Sequence, residues 1–190
     1  MRISKPPEER RQEILDAAMR LFAEKGYEET SMSDIAKELQ VVPGLCYRYF
    51  DSKQVLFREA VEQYVKECCA LALPVIHDRG RTIAQRMDDM ANMTLEIEEG
   101  ARYRAFYHRP ENQQLHEQLS EKICEYLMPH VTEEFRDACQ RGELNLPYPE
   151  VTASYLLHAQ IGLMGEGKVP LDKRVQTIRR YAALILEAGV

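Results

Sequence analysis

Thr30 to Phe57, TSMSDIAKELQVVPGLCYRYFDSKQVLF, decides the fold. Ser31 followed three residues later by Asp34 is a capping-box pattern, in which the hydroxyl accepts from a free amide of the first helical turn. Met32, Ile35, Ala36 and Leu39 then share one helical face. Pro43 suits the first residue of a second helix, where its missing N–H would have no intrahelical partner, and this leaves only about three residues for the turn. That is helix-turn-helix spacing, and Asp51 or Ser52 can cap a third helix.

In the second of these helices Cys46 and Phe50 lie four residues apart and point inward together, while Gly44, Leu45, Tyr47 and Arg48 cover the remaining surface with Tyr49 at its flank. Phenol and guanidinium groups on an outward face suit phosphate oxygens lining a DNA groove. Lys53, at the start of the next helix, adds a candidate phosphate contact. An ordinary helical hairpin with a decorated surface is the alternative.

Working outward, residues 1–6 read as a short arm carrying Arg2 and Lys5. Helix one is expected from about Pro7 to Lys25, with Glu8 and Glu9 in its first turn, Gly26 as its stop, and Ile14, Ala17, Ala18, Leu21 and Phe22 as an apolar stripe. That stripe needs a partner, so the first three helices form one globule.

A length of 190 residues supports one or two domains with a real core. The net charge of -6 argues against coating nucleic acid through bulk electrostatics. DNA affinity therefore needs a local basic surface. No early apolar run matches a signal peptide and none approaches the roughly 20 residues of a membrane span, so a soluble cytoplasmic protein is expected. Five cysteines without CxxC spacing fit reduced thiols.

The segments ILDAAMRLFAEKGYEETSMSDIAKEL and GLCYRYFDSKQVLF resemble the TetR-type (tetracycline-repressor-like) bacterial transcription regulators over about residues 8–60. The resemblance implies an all-α dimer: an N-terminal three-helix DNA-binding domain over 1–52, then a helical ligand-binding and dimerisation domain over 53–190. It implies repression of transcription at a double-stranded DNA operator until a small-molecule effector binds. Carried over by position, Ser31 and Ser33 touch phosphate or groove edge, Pro43, Gly44 and Leu45 meet bases, and Tyr47, Tyr49 and Lys53 hold backbone, beside Arg48. Three residues depart from the pattern: Gln40 replaces the usual Gly, Val42 a capping Ser or Thr, and Leu45 a Thr. An apolar residue there can contact a thymine methyl but cannot donate to a base.

Helix four, from Lys53 to about Leu71 with Pro74 marking its end, would connect reader to sensor. A segment from about Arg81 to Glu98 clusters Met87, Met90 and Met93, which suits either an adaptable pocket or plain core packing. Tyr103, Phe106, Tyr107 and His108 are ligand candidates, or else cover a helix end. A long helix carries Tyr126, a further ligand candidate, and is expected to kink or break at Pro129. Two apolar helices close the chain, from near Pro149 and near Asp172, with Gly162 and Gly165 allowing close backbone approach. By the resemblance, this pair makes the homodimer.

Residues 162–168 match the first seven positions of a phosphate loop, but Val169 stands where a Mg²⁺-binding hydroxyl belongs and no strand precedes it. No enzyme signature occurs, and no cofactor or metal is expected. Cys68 and Cys69 project about 100° apart on a helix, which favours one buried and one peripheral thiol over a redox or metal pair. His158, within an apolar helix, reads as a satisfied core or interface histidine. The reading is a ligand-released repressor; the alternative is a small-molecule-binding helical protein whose helix-turn-helix is only structural.

Overall fold

The computed structural model describes residues 5–100, 113–165 and 168–188, which hold eight helices and no strand. They are α1 (Pro7–Lys25), α2 (Met32–Glu38), α3 (Pro43–Tyr49), α4 (Lys53–Ile76), α5 (Ile83–Gly100), α6 (Gln113–Gln140), α7 (Pro149–Gly165) and α8 (Leu171–Ala188). The all-α class expected from the sequence is the class observed. The described residues form two compact units that divide within α4 after Val65. The first holds α1 to α3, the start of α4 and residues 113–117; the second holds the remainder.

In the first unit Pro7 opens α1, Glu8 and Glu9 face its positive end, and Gly26 closes it at φ 87° with its N–H on the Phe22 carbonyl. The expected stripe, Ile14, Ala17, Ala18, Leu21 and Phe22, is buried. Ile35, Cys46, Phe50 and Leu56 of the same unit are likewise nearly sealed from solvent. Phe22 and Phe57 meet edge to face at 5.1 Å. Buried Thr30 donates its hydroxyl to the Gly26 carbonyl at 2.8 Å, with the Leu21 carbonyl at 3.2 Å, fastening the end of α1 to the start of α2.

In the second unit a core of Ile83, Phe135, Ala138, Leu146, Ala153 and Leu186 joins α5, α6, α7 and α8. Beside it, Glu134 is buried and accepts from Arg86 Nη1 at 2.9 Å, from Arg79 Nη2 at 3.3 Å and from His77 Nδ1 at 2.9 Å. His77 Nε2 faces His130 Nδ1 at 3.0 Å, so a single hydrogen bridges the two rings.

Neither proline ends its helix. α4 continues through Pro74 to Ile76, five residues beyond the expected end near Leu71, and α6 runs through Pro129 without a break. Proline removes only its own N–H, and near the end of α4 the lost bond is local: His77 N–H still reaches the Leu73 carbonyl, and Arg86 Nη1 takes the Ile76 carbonyl at 2.6 Å. At Gly162, an added Cβ would meet nothing within 4 Å among the described residues, so none of their backbone closes on it.

Candidate nucleic-acid interface

The reader is built from its caps upward. Ser31 Oγ accepts from the Asp34 amide at 3.1 Å and the Asp34 carboxylate accepts from the Ser31 amide at 2.9 Å, so the expected capping box is formed. The Ser31 hydroxyl also donates to Asp34, and this hydrogen bonding holds the Asp34 carboxyl below its ordinary value. Ser31 is exposed, but its hydrogen is committed to the cap; Ser33, in the first turn of α2, is exposed as well.

The turn between α2 and α3 is tight because Gln40 takes φ 54°, a left-handed conformation that glycine adopts without strain. The Gln40 amide bonds the Lys37 carbonyl and the Val41 amide bonds the Ala36 carbonyl, which ends α2 and reverses the chain. The glycine usual at this position in the resembled pattern therefore has a steric reason, and glutamine meets the same geometry at a cost. Val42 is the N-cap of α3 with extended backbone and no side-chain cap bond.

Cys46 and Phe50 are buried as expected, and burial pushes the Cys46 thiol up. The opposite surface carries exposed Pro43, Gly44, Tyr47 and Arg48, with Leu45 and Tyr49 half-buried. Tyr47 is 52% exposed and Val42 64%. These are the exposed large apolar side chains among the described residues of the first unit. Val42 was not among the expected contacts, although its lack of a capping group is visible in the sequence.

Lys53 is engaged within the fold. Its Nζ donates to the Tyr27 carbonyl at 2.9 Å, lies 3.4 Å from the Glu28 carbonyl and sits 4.2 Å from the centre of the Tyr27 ring. Lys5, on the expected arm, pairs with Glu13 and with Glu9 on α1. Arg11 pairs with Glu59 and stacks over Phe50 at 4.9 Å, and Arg20 pairs with Glu38 at 3.1 Å. These cations brace the unit. Arg48 is left as the exposed cation of α3.

Of the ligand candidates, Met87 is partly buried against the second unit's core, Met90 is half-buried, and Tyr126 lies 5.9 Å ring to ring from His130. Tyr103, Phe106, Tyr107 and His108 lie outside the described residues. Cys69 is buried and Cys68 only partly so, as helical neighbours should be. Burial, with a smaller contribution from Cys68, raises the Cys69 thiol to about 11, which disfavours the reactive thiolate. His158 is exposed and its Nδ1 donates to the Ser154 carbonyl at 2.8 Å. Among the described residues no group of three or more His, Cys, Asp or Glu could hold a metal ion, and no helix is long and apolar enough to cross a membrane.

Residues 14–60, which contain α2, the turn and α3, match the family model of bacterial regulatory proteins of the tetR family. Residues 14–60 therefore carry the N-terminal segment of that family. The chain is 42% identical over 64 residues to the HTH-type transcriptional regulator HbdR of Aromatoleum sp., covering 32% of the chain and 28% of that regulator. Over 56 residues it is 39% identical to IcaR of Staphylococcus aureus, the HTH-type negative transcriptional regulator of the biofilm operon icaADBC, covering 30% and 27%. The matched stretch thus spans less than a third of these relatives. A crystal structure of a tetR-family regulator from Mesorhizobium loti superimposes with a TM-score of 0.69 at 21% identity, covering 97% of each chain, so the tetR-family fold extends across the second unit.

Proposed function

We propose that this protein is a transcriptional repressor that binds a palindromic double-stranded operator as a homodimer and is released by a small-molecule effector. The observation that carries the reading is the exposed Tyr47 and Arg48 face of α3, presented on a capped and packed three-helix unit. A capped scaffold fixes α3 rigidly, and phenol and guanidinium groups on an α3 surface are suited to phosphates flanking a major groove. Negative regulation by IcaR, a relative across the same segment, supports repression over activation.

In this reading residues 1–52 bind DNA, with 1–6 as an arm, and 53–190 bind effector and dimerise, with helix four as the connector. Ser33, Pro43, Gly44, Leu45, Tyr47, Arg48 and Tyr49 form the DNA surface, with Ser31 and Lys53 supporting it. Exposed Val151 and Tyr155 on α7 and Tyr181 and Leu184 on α8 supply apolar area suited to a second copy. Two α3 helices about 34–36 Å apart then meet successive turns of one operator face. An effector shifts this spacing only by its differential affinity for the two states. The role is regulatory, not enzymatic, and its setting is the cytoplasm, where the DNA is.

Recovery of bound genomic fragments by the purified chain tests the reading. Enrichment of a few sites containing an inverted repeat is expected. A fragment pool no different from the input would sink it.

A further inference from the structure

We propose that the first turn of α3 reads thymine 5-methyl groups, with Val42 as the principal specificity-determining residue and Leu45 beside it. The inference rests on the DNA-binding reading above and narrows its target to operators with thymine at fixed positions in each half-site.

Helix-turn-helix proteins bring the N-terminal residues of the recognition helix to the base edges. Here those residues are Val42, Pro43, Gly44 and Leu45, and no side chain among them can donate or accept a hydrogen bond. Of the backbone amides of this turn, Pro43 has no N–H and that of Leu45 is committed to the Val42 carbonyl at 2.9 Å, which leaves the Gly44 amide, a donor whose direction is fixed by the helix and which every base acceptor can meet alike. In the major groove the thymine methyl is the apolar group among donors and acceptors that no side chain of this turn can answer.

Two further features fit this use. A Cβ added at Gly44 would meet nothing within 4 Å, so the surface beside Val42 is open and low enough for close approach to a groove floor. Val42 occupies an N-cap, where a Ser or Thr would bond a free amide, and it makes no such bond. At 64% exposure it also gains little from burial. A branched aliphatic side chain that serves neither the cap nor the core of its own unit is placed for an external apolar contact.

Selection from a random-sequence duplex library by the full-length protein, followed by deoxyuridine replacement of each enriched thymine, tests this directly, because deoxyuridine removes only the methyl. Thymine at one or two fixed positions per half-site is expected, with affinity by fluorescence anisotropy falling about fourfold per methyl and about fifteenfold for a symmetric pair. Val42→Ser restores a capping hydroxyl, so its urea midpoint should not fall. It should nevertheless bind the thymine duplex more weakly and lose most of the deoxyuridine penalty. Enriched sites without fixed thymine, undiminished affinity for the deoxyuridine duplex, or a penalty unchanged in Val42→Ser each overturns the inference alone. Failure to enrich any sequence overturns the DNA-binding reading and this inference together.

Discussion

Arg86 and Glu134 form a buried ion pair, Nη1 to Oε2 at 2.9 Å, with side chains 4% and 2% exposed. Since the same nitrogen holds the Ile76 carbonyl at 2.6 Å, the pair ties the end of α4 to α5 and α6. Among the described residues, Nε and Nη2 of Arg86 make no hydrogen bond, so Glu134 is its principal compensation. Glu134→Gln should therefore destabilise the second unit by about 3–5 kcal/mol in urea unfolding. Replacing both, with Glu134→Leu and Arg86→Met, should recover most of the loss, because neither charge then remains buried alone. A Glu134→Gln loss below about 1 kcal/mol would show that the pair is not what holds this junction.

The same carboxylate sets an acid limit. Burial alone pushes the Glu134 carboxyl up, but hydrogen bonds from His77, Arg86 and Arg79 outweigh it and hold the group at about 2, against an ordinary 4.5. As pH falls, the unfolded chain takes the proton first. The contribution, about 3 kcal/mol at most, is complete above about pH 4.5 and declines as pH drops toward 2. Urea titrations at pH 6, 4 and 3 should show the stability gap between the native chain and the Glu134→Leu, Arg86→Met variant shifting against the native chain as pH falls. A gap independent of pH would contradict this assignment.

Gln40 makes the turn between α2 and α3 at φ 54°. A left-handed conformation costs a non-glycine residue about 1–2 kcal/mol, part of which glycine forfeits through its freer unfolded state. Gln40→Gly is therefore expected to stabilise the first unit by about 0.5–1 kcal/mol, read as a higher thermal midpoint. An unchanged or lower midpoint would mean that contacts made by Gln40 offset the strain.

The local parts of this architecture were legible in the sequence. Ser31 and Asp34 are three residues apart, Gly26 follows its stripe, and Pro43 opens its helix, so each signal and its consequence lie within one turn. What escaped depends on distant partners. Lys53 reads as a surface cation until the Tyr27 carbonyl and ring, 26 residues earlier, arrive beside it. Glu134 sits in the charged run TEEFRD, and nothing local distinguishes it from Glu133, which is exposed; only His77 and Arg86, 57 and 48 residues away, make it a buried anchor. Pro74 and Pro129 failed as stops for the same reason, since a helix end is decided by packing as well as propensity.

The division between reader and scaffold at Tyr47 and Lys53 is open to a paired measurement. Tyr47 is 52% exposed, so Tyr47→Ala should leave stability within about 0.5 kcal/mol. Its loss from a phosphate contact should weaken DNA binding about tenfold, or ~1.4 kcal/mol, across related and unrelated duplexes alike. Lys53 donates to the Tyr27 carbonyl and covers its ring, so Lys53→Met should cost about 1–2 kcal/mol of stability. At temperatures where both variants are folded, the mobility-shift deficit should be larger for Tyr47→Ala. If Lys53→Met instead folds as well as the native chain but loses affinity with a shallower salt dependence, its ammonium serves phosphate first and the Tyr27 seat is secondary.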